Sequence, residues 1–113
     1  GELLFGIYFD GTHIGNIKLG PISFAHMSAE ISYLIGEKEF WGKGIASKSV
    51  KAVVKFAVTE LGLMKVNAGY YENNIGSAKV LQKCGFVVEG NRISEINFEN
   101  ERISSFLVGY VPK

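Results

Sequence analysis

The run Trp41-Gly42-Lys43-Gly44-Ile45-Ala46 places two glycines around one lysine just ahead of a periodic apolar stretch. Glycine lets successive main-chain N–H groups turn toward one anion, and a helix N-terminus adds unpaired donors and the positive end of its dipole. The N–H groups from Gly42 to Ser47 are therefore candidates to cradle a diphosphate, with Lys43 as an added point charge. An ordinary strand-to-helix connection has the same composition. A second segment, Asn74-Ile75-Gly76-Ser77 running on to Cys84-Gly85-Phe86, lies one strand further along and favours the binding alternative.

The flanking residues predict the elements that hold these segments. Leu3 to Phe9 reads as a strand, Asp10-Gly11 as a hairpin turn, and His13 to Leu19 as the returning strand, closed by Gly20-Pro21. Ala29 to Ile35 is a further strand, alternating and then continuously apolar. Ala46, Val50, Val53, Val54, Ala57 and Leu61 recur at helical spacing with Lys48, Lys51 and Lys55 opposite, which predicts an amphipathic helix ending near Gly62. Met64 to Tyr70 reads as a strand, and Asn73 or Asn74 caps a shorter helix through Cys84, with Gly85 at the left-handed position after it. Val87 to Phe98 and Ile103 to Val111 form a second hairpin around Glu99-Asn100-Glu101.

The strand before the long helix and the one after it should run parallel, because a right-handed helical crossover joins them. The expected class is thus α+β: a mixed sheet with antiparallel hairpins at both ends, a parallel central pair and two flanking helices. At 113 residues the chain is expected to form one domain, and 47% apolar with 20% charged residues places it among folded proteins. A formal charge of +1 argues for neither nucleic acid nor an anionic membrane as partner. A lone Cys84 forms no internal disulfide, and with two histidines it gives no metal-ligand spacing, so no metal is expected. With no signal-like N-terminus and no apolar run of bilayer length, the expected setting is cytoplasmic.

The element order and both segments resemble the GNAT superfamily of N-acetyltransferases, especially the branch that acetylates ribosomal-protein N-termini. The family's acyl-CoA loop, Gln/Arg-x-x-Gly-x-Gly/Ala, falls on Trp41 to Ala46, with Trp41 replacing the usual first residue. Asn74, Ser77, Gly85 and Phe86 match the spacing of the helix that flanks the cofactor. A tyrosine that protonates the departing thiolate in many relatives corresponds here to Leu81. The family's first strand and two helices, which help build the acceptor pocket, have no counterpart ahead of Leu3.

The resemblance implies acetyl-CoA as acyl donor and a primary amine, such as a protein N-terminus or a small amine, as acceptor. It implies central strands that splay apart, leaving main-chain groups on Tyr33, Leu34, Ile35 and Gly36 for the pantetheine amides. An N–H of Leu34 or Ile35 could then polarise the thioester carbonyl. The cofactor-binding set is these four with Trp41, Gly42, Lys43, Gly44, Ile45, Ala46, Ser47, Asn74 and Ser77. An amine must lose a proton to attack, and Glu30 is the candidate base, although a solvated charge on a half-buried strand explains it equally well. Ser77 is the candidate proton donor to the thiolate, with Tyr70 and Tyr71 behind it. A non-catalytic acyl-CoA module, a piece needing a partner to complete the acceptor site, and self-association into a homodimer are the alternatives.

Overall fold

A computed structural model describes residues 1–36 and 38–113. Strands β1 (Leu3–Phe9), β2 (Thr12–Ser23) and β3 (Ser28–Ile35) lead through a short 3-10 turn, Lys38–Phe40, into helix α1 (Ile45–Thr59). Strand β4 (Lys65–Tyr71), helix α2 (Ile75–Lys83) and strands β5 (Val87–Phe98) and β6 (Glu101–Tyr110) follow. The six strands form one sheet in the order β1-β2-β3-β4-β6-β5, with β3 and β4 parallel and every other neighbouring pair antiparallel.

Side-chain alternation gives the sheet one covered and one bare face. On β3, Ala29, Ile31 and Ile35 are buried while Glu30, Ser32 and Leu34 are exposed. The covered face packs Ile17, Leu19, Ile31 and Val66 against Val50, Val53, Val54 and Ala57 of α1 and Leu81 of α2. Phe5 meets Phe56 edge to face at 5.6 Å. Each fully buried branched side chain in this layer contributes about 1.5–3 kcal/mol. The other face leaves Leu4 72% exposed and Leu34 67% exposed.

Two details depart from the sequence expectation. Gly20-Pro21 does not end the second strand: pairing breaks between Leu19 and Ile22 and resumes as Ile22↔Ala29 and Ser23↔Ser28. Proline has no N–H to give the ladder, so it occupies the bulge, and the strand continues beyond it. The second hairpin turns on Glu99 and Asn100 alone, both with positive φ, and Glu101 is already paired with Phe98. Gly85, at φ 92, ends α2, with its N–H bonded to the Gln82 carbonyl and that of Phe86 to the Leu81 carbonyl.

Candidate functional site

The parallel pair is short. Its rungs are Ser28↔Lys65, Ala29↔Val66 and Glu30↔Asn67, after which β3 and β4 are no longer paired with each other. Beyond that last rung, β3 continues to Ile35 beside β2 and β4 to Tyr71 beside β6, so the sheet forks.

The ladder pattern decides which main-chain groups face the fork. The Gly36 N–H donates to the Ile14 carbonyl at 3.0 Å, and antiparallel pairing alternates with period two, so Leu34 also directs its groups toward β2. A Cβ on Gly15 would collide with the Leu34 carbonyl oxygen, which places that oxygen against β2 as well. Tyr33 and Ile35 therefore turn their N–H and C=O groups into the fork. This corrects the expectation for Leu34 as a source of an oxyanion-binding N–H, and for Gly36 as an edge donor: both N–H groups belong to the β2 ladder. On the facing strand, Glu72 N–H bonds to the Ser104 carbonyl at 2.9 Å, so Gly69 is among the residues facing the gap.

Above the fork, on the covered face, a cleft of about 380 Å³ lies between the N-terminal ends of the two helices. Gly42 and Gly44 both hold φ 76, and Gly44 is the N-cap of α1. No side chain among the described residues caps this end, and its first turn carries no acidic residue. The first helical bond runs from the Lys48 N–H to the Gly44 carbonyl, so the N–H groups of Ile45, Ala46 and Ser47 precede the ladder. The Ser47 hydroxyl donates to the Gly44 carbonyl at 3.1 Å. Helix α2 is capped instead, with Asn74 Oδ1 accepting from the Ser77 N–H at 3.0 Å.

Most of the binding set predicted from sequence comes together here. Tyr33, Leu34 and Ile35 form one wall, Trp41, Gly42, Gly44, Ala46 and Ser47 a second, and Asn74 and Ser77 a third. The Trp41 indole N–H donates to the Ile35 carbonyl at 2.9 Å, fixing the loop to the end of β3. Gly36, Lys43 and Ile45 do not line the cleft. Lys43 places its ammonium 5.7 Å from the Phe40 ring centre.

Sequence reasoning missed the lining residues Phe40, Gly76, Lys79, Val80 and Lys83. The signal was present on α2: positions 79, 80 and 83 follow helical spacing from Gly76 and share one stripe with it.

Tyr33 and Ser77 meet directly, the phenol donating to Ser77 Oγ at 3.2 Å. Burial pushes the Tyr33 phenol above its ordinary pKa, an effect opposed by the bond to Ser77 and reinforced by Cys84. Cys84 is buried, its thiol donating to the Ser47 carbonyl at 3.4 Å and so joining α2 to the first turn of α1. Burial raises the Cys84 pKa, against the lowering influence of Lys51 and Lys83. Leu81 is 2% exposed and belongs to the core. Tyr70 stacks on Phe106 at 5.3 Å, while Tyr71, the next residue along the strand, points to the opposite face. Glu30 stands exposed on the bare face at the last rung before the fork, so it and Ser77 approach the gap from opposite sides.

The pattern of the acetyltransferase (GNAT) domain family matches residues 1–87, which hold the uncapped helix start, its two left-handed glycines and the forked parallel pair. The chain belongs to that family. It is 40% identical over 92 residues to the probable N-acetyltransferase YjcK of Bacillus subtilis, covering 79% of this chain and 50% of that protein. Against the spermidine N(1)-acetyltransferase of Escherichia coli K12 it is 31% identical over 94 residues, 83% of this chain and 50% of the relative. The structure of Mycobacterium smegmatis RimJ in complex with CoA-disulfide superposes with a TM-score of 0.87 at 26% identity, covering 97% of this chain and 53% of that one. The chain spans about half the length of the curated relatives it matches. Among the described residues, no helix is long and apolar enough to cross a membrane.

Proposed function

We propose that this chain holds acetyl-CoA and supplies the donor half of an N-acetyltransferase whose acceptor is a primary amine. One arrangement carries the proposal: the β3–β4 rungs stop at Glu30↔Asn67, and an uncapped α1 N-terminus opens on the same cleft. The N–H groups of Ala46 and Ser47 would take the diphosphate, and Lys79 and Lys83 in the cleft wall add positive charge. The fork suits the pantetheine amides, because Tyr33 and Ile35 offer main-chain partners as a strand edge does. The Ile35 N–H is the assigned donor to the thioester carbonyl, whose oxygen gains negative charge as an amine attacks.

Glu30 is assigned as proton acceptor for the amine. Its place on the bare face requires the acceptor to enter from the side opposite the coenzyme. Glu30→Gln should lower kcat by about 10²-fold or more while leaving acetyl-CoA affinity unchanged; undiminished turnover across pH would remove it from this role. Spermidine, the acceptor in the name of the Escherichia coli relative, and a ribosomal-protein N-terminus, the acceptor that the sequence resemblance implies, are the first two amines to try. Thiol release from acetyl-CoA, followed with each amine against an amine-free control, tests the whole assignment. No acceptor-dependent release from any amine would overturn it.

Burial of Leu81, at the position where many relatives carry the proton-donating tyrosine, favours a second reading: a module that binds acyl-CoA without turning it over. It predicts a rise in melting temperature with acetyl-CoA and no thiol release with any amine.

A further inference from the structure

We infer that a second cavity, on the flank of α1 beyond the end of α2, is a binding site for a small carboxylate with an apolar body. The inference stands apart from the donor-site assignment, because this cavity shares no lining residue with the cleft at the fork.

A difference in helix length makes the space. Helix α1 has 15 residues and α2 has 9, and α2 stops where Gly85 takes φ 92. Past that stop the flank of α1 faces Tyr110, the last residue of β6, across a cavity of about 190 Å³. The Tyr110 ring lies against Phe86, with 5.8 Å between ring centres, and a Cβ on Gly85 would come within 3.2 Å of it. Glycine at 85 thus serves both the helix stop and the ring that walls the cavity.

The lining divides by chemistry. Buried Val54 and Cys84 with half-buried Val58 give an apolar floor. The Cys84 thiol is already committed to the Ser47 carbonyl at 3.4 Å, and the Thr59 hydroxyl to the Lys55 carbonyl at 2.7 Å. Lys51 and Lys55 are exposed and stand one helical turn apart at the rim. Among the described residues no Asp or Glu lines the cavity, and neither lysine has an ion pair. The Tyr110 hydroxyl likewise has no hydrogen-bond partner among them.

Two ammonium groups and a phenol over a valine floor select on two counts. A carboxylate meets the positive charge with charge-assisted hydrogen bonds, and an apolar body takes the valine surface out of water. An inorganic anion forgoes the second gain, and a neutral amide of the same shape forgoes the first. The volume suits one ring or a short chain, below the roughly 300 Å³ at which pockets for drug-sized ligands begin.

Benzoate is the probe, titrated into the chain and followed by methyl-resolved NMR. We expect saturable binding with a Kd of about 1 mM or tighter, and ring-to-methyl Overhauser contacts with Val54 and Val58. Benzamide and inorganic phosphate should each bind about fivefold more weakly or worse. Lys51→Met/Lys55→Met should weaken benzoate about fivefold or more with an unchanged melting temperature, while Lys79→Met/Lys83→Met, in the wall of the other cleft, should bind it as the parent does. Saturating CoA should not displace it. Absence of saturable binding, or equal affinity for benzamide, would overturn the inference. Displacement by CoA, or loss of binding in the Lys79/Lys83 variant alone, would overturn it too, by putting the carboxylate in the coenzyme cleft. Failure of the parent protein to bind CoA would overturn the donor site alone, and the two double variants would still decide where benzoate sits.

Discussion

Gly44→Ala tests the loop most directly. Gly44 holds φ 76 and ψ 0, and a Cβ built there meets nothing within 4 Å. The cost is therefore not a clash with neighbours but the left-handed backbone itself, about 1–2 kcal/mol for an L-residue. That conformation is held by the helix, since the Gly44 carbonyl accepts from both the Lys48 N–H and the Ser47 hydroxyl, each at 3.1 Å. The penalty divides into two measurable parts. What the free protein relaxes is lost again as affinity when the loop must reform around the diphosphate, and what it cannot relax is lost as stability. If all of it falls on binding, acetyl-CoA weakens roughly 5- to 30-fold. If all of it falls on folding, the melting temperature drops by about 4 °C per kcal/mol. Calorimetric titration and thermal melts on the same preparation should give a summed loss of about 1–2 kcal/mol. S-acetylpantetheine, which lacks the diphosphate, should bind the variant and the parent equally well. A matching loss for both ligands would refute the placement of the diphosphate at this turn, and a sum near zero would refute the strain argument.

Three further outcomes follow from the same geometry. Asn74→Ala removes the α2 cap and should cost about 1 kcal/mol in denaturant unfolding; an unchanged midpoint would mean that water replaces the cap fully. Leu81→Tyr should not restore a proton donor, because the site is 2% exposed and overpacking costs about 1–3 kcal/mol; a variant with faster turnover and an unaltered melt would contradict this. Raised pKa values for Cys84 and Tyr33, from ordinary values of 9.0 and 10.0, mean that the unfolded chain gives up these protons first as pH climbs. Their stabilisation is complete below about pH 9 and drains away as pH passes through the folded-state values, so the melting temperature should sag in that range. The sag should flatten in Cys84→Ala/Tyr33→Phe, and persistence at full depth would count against it.

The elements that follow one period were legible from the chain alone. Val87–Phe98 and Leu3–Phe9 match their sequence-derived bounds, and α1 at Ile45–Thr59 lies within two residues of the apolar stripe that defines it. The family resemblance also agrees with the match over residues 1–87. Legibility failed where pairing, not propensity, decides. Gly20-Pro21 looks like a stop in one dimension, but in the sheet it is an interruption that the partner strand bridges. The roles of Leu34 and Ile35 could not be separated by type, because which of two neighbours faces the fork depends on ladder parity, set here by Gly36 bonding to Ile14. Lys43 was attractive as the lysine inside the loop, yet its ammonium lies over Phe40, while Lys79 and Lys83, on another helix, line the cleft. The Tyr33–Ser77 contact joins residues 44 positions apart and has no local signature.

The fork makes the sheet a perforated partition, with the helices of this chain crowded on one side and Glu30 waiting on the other. Whatever is laid over the far side can be exchanged without disturbing the cleft between the helices. One cleft can thereby be kept while the roof built above the opening varies.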